Sequence, residues 1–318
     1  MKKYLIALSV AFSLMVCSVS HAADAMALRL KLQAGDKYEL TFNQENTMVQ
    51  NMMGQEIDMT QNSSMWYTME VKDVEESGNM RIATTLDRVK MSGSTLGNAF
   101  AYDSDDPNMA SSEQAQAFAP MLGREMIMLM TPRGETLEVE GLDEMFDSMF
   151  EEDTPQAQQM KEQFKDMYSD QGFKNMMSGG AFSMYPEEPK AVGDKWKDSA
   201  TFKNPLGEMA IDSDVSLVAH EDGVITMQMD STFSTSEDSE GIELESVKMN
   251  YDIKDGSQVA TLLIDENTGW MIETNIEQKM SAVMYMDMSG APNAPPEMQN
   301  LTVPMEMTNK GTMKSRKI

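Results

Sequence analysis

Long runs of alternating apolar and polar residues constrain the fold of this chain more than any other feature. They cover residues 38–42, 57–71, 80–91, 209–218, 224–233, 259–264 and 270–276. A period of two places every second side chain on one face of a strand, so one sheet face is buried while the other meets water. Glycine turns such as Met53-Gly54 and Ser77-Gly78-Asn79 separate several of the runs, which favours hairpins. The sequence therefore predicts a mainly β-protein built from curved antiparallel sheets.

A further strand is predicted at residues 28–32, where three leucines alternate with Arg29 and Lys31.

The order of the turn signals predicts that the β-architecture occurs twice. Gly35-Asp36-Lys37-Tyr38 and Gly193-Asp194-Lys195-Trp196 each open a strand-like run, and each is followed by further glycine turns in a similar order. We expect a first β half at residues 23–141 and a second at 186–318. The two halves form either two lobes or one continuous sheet.

Helical signals concentrate between the halves, at residues 142–185. Asp143 caps a run through Phe150, and Thr154-Pro155 provides an N-cap followed by a proline at the first helical position. An apolar stripe follows at helical spacing, made by Met160, Phe164, Met167 and Tyr168. The expected fold class is therefore α+β, a mainly β fold with a helical insertion. Residues 93–120 are small and polar and predict a loop with one short helix.

The first 22 residues predict export. Lys2 and Lys3 precede an apolar stretch and a Ser20-His21-Ala22 cleavage sequence, which is the order of a secretory signal peptide. The expected location is therefore the periplasm or the medium. Cys17 is the only cysteine, and Val16 before it argues against lipid attachment there, since lipoprotein processing needs a small residue at that position. No later stretch reaches the roughly 18 apolar residues of a transmembrane helix.

Charge and motif content narrow the function classes. The chain has 25 basic and 52 acidic residues and a net charge of −27, which disfavours nucleic acid and anionic lipid headgroups as partners. The sequence contains no phosphate loop, dinucleotide fingerprint, nucleophile elbow or zinc motif. We therefore expect that the protein is not an enzyme and binds no cofactor. His220, the one histidine beyond the signal sequence, is predicted to be exposed at a hairpin.

Two groups of residues are candidates for ligand or metal binding. Asp103, Asp105 and Asp106 form an acidic knot that offers oxygens to calcium, although an Asx turn closed by Pro107 is the simpler interpretation. Methionine is abundant, at 36 residues, and two triplets place thioethers on one strand face. The triplets are Met126, Met128 and Met130, and Met284, Met286 and Met288. Thioethers fill cores, line adaptable apolar cavities or bind Cu(I), and the sequence leaves all three roles open.

The order of these motifs resembles an uncharacterised family of exported bacterial proteins, domain of unknown function 6263. The resemblance rests on the two Gly-Asp-Lys openings, the 102–107 loop, Thr131-Pro132-Arg133-Gly134-Glu135 with Glu140-Gly141-Leu142-Asp143, and residues 265–270. It implies an exported, methionine-rich β-protein and brings no activity, substrate or site. A looser architectural analogy is to periplasmic lipoprotein carriers, in which helices cover a curved open sheet.

We therefore expect an exported, non-enzymatic protein that binds or carries an apolar, lipid-like ligand or a protein partner in the cell envelope. A structural or interaction protein with a methionine-filled core and no ligand is the alternative, and Cu(I) buffering is the third.

Overall fold

The computed structural model describes residues 25–149, 185–204, 207–236, 242–244, 247–289 and 299–318. The predicted signal peptide and most of the predicted helical connector lie outside these residues. The strands are β1 Lys37–Met52, β2 Gln55–Val74, β3 Met80–Thr95, β4 Asn98–Asp103, β5 Glu125–Met130, β6 Thr136–Glu140, β7 Lys195–Asn204, β8 Gly207–Glu221, β9 Val224–Thr235, β10 Ile242–Leu244, β11 Val247–Asp265, β12 Met271–Asp287 and β13 Asn300–Lys317. The helices are a 3-10 turn at Pro107–Met109, α1 Glu113–Phe118 and α2 Leu142–Met149.

All of these strands belong to one antiparallel sheet. Its order is β6-β5-β3-β2-β1-β13-β12-β11-β9-β8-β7, with β4 paired to β3 and β10 paired to β11. Neighbours in the sheet are mostly neighbours in sequence, because short turns join them as hairpins. The β3–β5 and β9–β11 pairs each skip one strand, β4 or β10. The long-range exception is at the centre, where β1 pairs with β13 from Tyr38–Lys317 to Gln50–Met305. The predictions of a mainly β fold and of antiparallel pairing are confirmed, and the strands form one continuous sheet.

The two faces of the sheet differ in polarity as the alternation predicts. We call the inner face the one that carries Leu40, Met69, Ile82, Leu217 and Leu262, all of which are buried in one core cluster. The opposite, outer face carries polar and charged residues. Because the cluster joins strands from nearly opposite ends of the sheet order, the sheet curves around its own inner face.

The segment before β1 fills the lower end of this curved sheet, the end where the β2–β3, β5–β6, β8–β9 and β11–β12 turns lie. Leu28, Leu30 and Leu32 are buried in the core cluster. The Leu30 N–H donates to the carbonyl of Pro132 at 2.7 Å, and the Lys31 N–H donates to the carbonyl of Thr268 at 2.7 Å. The prediction of a strand at residues 28–32 was wrong, because the segment lies across these turns and forms no ladder with any strand that the structure describes.

The two Gly-Asp-Lys turns have the same hydrogen bonds. The N–H groups of Gly35 and Gly193 donate at 2.8 Å to the carbonyls of Val71 and Leu217 respectively. In each turn the aspartate carboxylate also accepts the N–H of the residue three positions earlier, at 2.9 Å for Asp36 and 2.8 Å for Asp194. The sequence likeness of the two turns thus extends to their local structure, and the division into related halves stays a prediction.

Two short helices lie in the described residues. Ser112 caps α1 by accepting the Ala115 N–H at 3.1 Å, and Ala115 and Phe118 of that helix pack on inner-face residues of β2 and β3 such as Leu86 and Val89. Helix α2 begins at Leu142, so Asp143, which was predicted to cap a helix through Phe150, lies in its first turn. Residues 150–184 lie outside the described part of the chain. The region predicted as a loop at 93–120 also contains a hairpin, β3–β4, which the sequence interpretation missed.

Candidate apolar binding site

A cavity of about 280 Å³ lies on the inner face, next to the core cluster and beneath the first strands of the sheet. It is partly open to solvent. Its walls come from β1, β2, β3, β5 and β13 and from the turn before β12. The lining residues are Leu40, Phe42, Tyr67, Met69, Ile82, Thr84, Met126, Met128, Met130, Trp270 and Met313.

The polar atoms of the aromatic walls have hydrogen-bond partners. The Tyr67 hydroxyl donates to Met65 Sδ at 3.2 Å, and the Trp270 indole N–H donates to Ser315 Oγ at 2.7 Å. Burial raises the pKa of Tyr67, so the phenol stays neutral at ordinary pH. The aromatic rings therefore offer apolar surface to the cavity, and the thioethers add a wall that adapts to different shapes.

The structure places the first methionine triplet in the cavity wall. Met126, Met128 and Met130 pair with Thr84, Ile82 and Met80 of β3, so register carries all three onto the inner face. Their exposure falls along the strand from half-buried Met126 to Met130, which is 2% exposed. The sequence interpretation found these residues through their spacing, but it missed Phe42, Tyr67 and Met313, which come from three other strands.

The second triplet lies elsewhere on the sheet. Met284 stands opposite Tyr251 and Val303, and Met286 stands opposite Met249 and Leu301. Met288 follows the end of β12, where its N–H donates to the carbonyl of Gln299 at 2.8 Å. All three side chains are half-buried, and none lines the cavity. The structure does not bring the two triplets together.

The acidic knot is built into the loop after β4. Arg88 donates two hydrogen bonds to the Asp103 carboxylate, at 3.1 and 2.7 Å, and its Nε lies 3.0 Å from Asp105. Asp106 accepts the Asn108 N–H at 2.9 Å as the N-cap of the 3-10 turn. The Arg88 hydrogen bond and the Asp105 N–H outweigh the desolvation that acts the other way, so the pKa of Asp103 lies below its usual value. The carboxylates thus have local partners, and calcium binding there stays a prediction.

Other candidate chemistry in the described ranges is sparse. His220 is exposed near the end of β8, with its Nε2 beside a carboxylate oxygen of Glu266. No group of three or more histidine, cysteine, aspartate or glutamate side chains in the described part of the chain is arranged to hold a metal ion. Among the same residues, no helix has both the length and the apolar character needed to span a membrane.

Comparison with known proteins gives a family. Residues 77–271 match the model of a family of unknown function, DUF6263, and the match covers more than half of the 318 residues. The chain belongs to this family. DUF6263 has no assigned activity, so membership brings no substrate or site.

The likeness to solved structures is distant, and no curated protein matches the chain. A structure of lipid-protein interactions in lipovitellin has a TM-score of 0.43 at 7% identity, over 88% of this chain and 25% of that one. The DUF6263 chain therefore spans a quarter of that chain's length. An outer membrane channel from Pseudomonas putida F1 has a TM-score of 0.26 at 8% identity, over 91% of this chain and 98% of that one. The translocator domain of the autotransporter NalP from Neisseria meningitidis has a TM-score of 0.22 at 7% identity, over 90% of each chain.

Proposed function

We propose that this protein is an exported, non-enzymatic carrier that binds a single apolar chain or ring system in the inner-face cavity. The observation that carries the proposal is the cavity itself, whose eleven lining residues are apolar or aromatic except for Thr84. Export is proposed from the basic, apolar and small-residue order of residues 2–22.

The cavity volume sets the size of the ligand. Ligand pockets usually measure about 300–1,000 Å³, and a dry cavity of about 150 Å³ holds one benzene. The volume of about 280 Å³ therefore fits on the order of 12 carbon atoms, roughly twice the benzene. A single acyl chain or a fused ring meets this limit, whereas a complete diacyl lipid exceeds it.

The methionines in the cavity wall support the proposal that the cavity accepts ligands of different shapes. Five of the eleven lining residues are methionines, at positions 69, 126, 128, 130 and 313. Unbranched thioether chains repack at little cost, as in other proteins that bind varied apolar partners. A protein with a close-packed, ligand-free core is the competing proposal, and it gives these methionines no role beyond filling space.

The test is binding of a neutral fluorescent probe, 1-aminoanthracene, to the purified full-length mature protein. We expect saturable binding with an emission increase, because the probe leaves water for an apolar site. Native mass spectrometry of the protein taken from its own envelope is the parallel measurement, and we expect a retained adduct of the mass of a single-chain lipid. Absence of both signals overturns the proposal in favour of the structural role.

A matched pair of variants locates the site. Met128→Trp fills the cavity and is expected to weaken probe binding by about tenfold or more, which corresponds to about 1.4 kcal/mol. Ile127→Trp makes a similar increase in volume one residue away, on the outer face of β5, and is expected to leave binding within about twofold. Equal losses in the two variants contradict binding in this cavity.

A further inference from the structure

A row of amide side chains crosses the mainly apolar inner face. Five neighbouring strands, β2, β1, β13, β12 and β11, each place one amide residue directly opposite the next. We call this the amide row, and its members are Gln61, Asn46, Asn309, Gln278 and Gln258. Beyond Gln258 the same register continues with Ser231, Ser213 and Asp198.

The rows on either side of the amide row differ in polarity. The row toward the core is apolar at Ile276 and Ala260 but carries Gln44 and Ser63 on β1 and β2. Toward the far end of the sheet lies a row of four methionines from β2, β1, β13 and β12. These methionines are Met59, Met48, Met307 and Met280. Period-two alternation alone would place an apolar residue at every amide position, so five successive exceptions in one register distinguish this row from the methionine row beside it.

The amide row leaves hydrogen-bonding capacity unused. Asn309 Nδ2 donates to Gln278 Oε1 at 3.3 Å, and Gln44 Nε2 donates to Asn46 Oδ1 at 3.2 Å. The Oδ1 of Asn309 is buried and accepts no hydrogen bond from any described residue. A buried acceptor without a donor costs roughly 1–3 kcal/mol, and a hydroxyl or amide donor of a bound molecule would remove that cost.

The surroundings of the row select against charge. The inner-face positions of residues 42–52 on β1, 301–313 on β13 and 274–286 on β12 hold no aspartate, glutamate, lysine or arginine. An anionic head would find no cation there and would meet a protein of net charge −27. A cationic head would find no carboxylate at these positions, because the one carboxylate that the register of the row reaches, Asp198, lies on β7, three strands beyond Gln258. Amides satisfy neutral donors and acceptors equally well.

We propose that the amide row is the headgroup subsite of the inner-face cavity and that it selects amphiphiles whose polar head is uncharged and bears hydroxyl or amide groups. This inference rests on the proposed carrier function, because the tail must occupy the cavity. Phe42 and Met313 line the cavity, and Asn46 and Asn309 lie four residues further along the same two strands. At about 3.3 Å per residue, the row is about 13 Å from that wall, and a single-chain molecule can reach both.

The test is displacement of 1-aminoanthracene by three molecules with the same twelve-carbon tail: 1-monolauroylglycerol, laurate and dodecyltrimethylammonium. The glycerol ester is expected to bind at least about tenfold more tightly than either charged molecule, the equivalent of one or two hydrogen bonds. Equal displacement by all three overturns the headgroup proposal and leaves the cavity as a nonselective apolar site. If the probe itself does not bind and none of the three molecules has any effect, the proposed carrier function is wrong.

Two double variants test whether the amide row causes the preference for an uncharged head group. In Asn46→Leu/Asn309→Leu the affinity for 1-monolauroylglycerol is expected to fall about tenfold while the affinity for laurate changes by less than about twofold. The control is Thr47→Leu/Thr308→Leu, the adjacent cross-strand pair, which is exposed on the outer face. An unchanged preference in the inner-face variant contradicts the proposal. The comparison of the three head groups on the unaltered protein holds whether or not either variant folds.

Discussion

The hydroxyl of Tyr185 donates a 2.6 Å hydrogen bond to the backbone carbonyl of Gly269, and both residues are buried. Burial holds the pKa of the Tyr185 phenol well above its usual range, so the donor is always protonated. The bond ties the chain before β7 to the turn between β11 and β12. The same turn holds the segment before β1 through Lys31, so one buried site joins three parts of the chain.

Replacement of Tyr185 by phenylalanine is expected to lower the free energy of unfolding by about 1–3 kcal/mol, because the Gly269 carbonyl loses a donor in a site that water does not reach. The measurement is the urea unfolding midpoint. Tyr285→Phe removes the hydroxyl of a tyrosine that is 42% exposed and is expected to change stability by less than about 0.5 kcal/mol. Equal effects of the two substitutions would show that the buried bond does not contribute.

Gly269 itself is expected to tolerate no side chain. Its φ of +65° lies in the left-handed region, and a Cβ added there would stand 1.9 Å from the carbonyl oxygen of Arg29. Gly97 has a φ of +78° with nothing within 4 Å of the same added atom, so Gly97→Ala measures the backbone cost alone, about 1–2 kcal/mol. We expect Gly269→Ala to cost at least about 2 kcal/mol more than Gly97→Ala, because the segment before β1 must move. Similar thermal unfolding midpoints for the two variants would contradict this arrangement.

Local patterns in the sequence predict most of the strands and few of the long-range contacts. Alternation predicted β2 and β3 because each has one buried face, and it predicted that Met126, Met128 and Met130 share a face. It could not predict the pairing of β1 with β13, because that pairing joins the two ends of the chain and depends on the whole sheet. The cavity and the amide row both depend on this register. Each of their residues looks ordinary within its own strand.

The misassigned segments have physical reasons of their own. Residues 28–32 alternate like a strand because every second side chain is buried, yet their backbone groups bond to turns rather than to a neighbouring strand. The β3–β4 hairpin was missed because its residues are small and polar, and because Leu96 takes a φ of 53° beside Gly97, which composition does not indicate.

The ion pair between Arg88 and Asp103 is expected to make stability depend on pH. Hydrogen bonds from Arg88 and from the Asp105 N–H keep the pKa of Asp103 below its unfolded value of roughly 3.9. The resulting stability is therefore fully present above the unfolded pKa and is lost as the pH falls through the folded one. Unfolding of the native protein and of Asp103→Asn, measured in urea from pH 7 to pH 3, should show a native advantage that shrinks below about pH 4. An advantage that is constant over this range would contradict the assignment.

Leucine at Met284, Met286 and Met288 is expected to preserve both the fold and any ligand binding in the cavity. The three side chains are half-buried and lie outside the cavity wall, and leucine conserves their apolar volume. Volume-conserving exchanges of this kind cost less than about 1.5 kcal/mol each, so the thermal midpoint should fall by less than about 10 °C for the three together. Competition with a chromogenic Cu(I) chelator separates this role from metal capture. If the thioethers only fill space, the triple variant and the native protein compete equally. A loss of Cu(I) affinity confined to the triple variant would make these sulfurs ligands, because leucine differs from methionine here chiefly in lacking the soft donor atom.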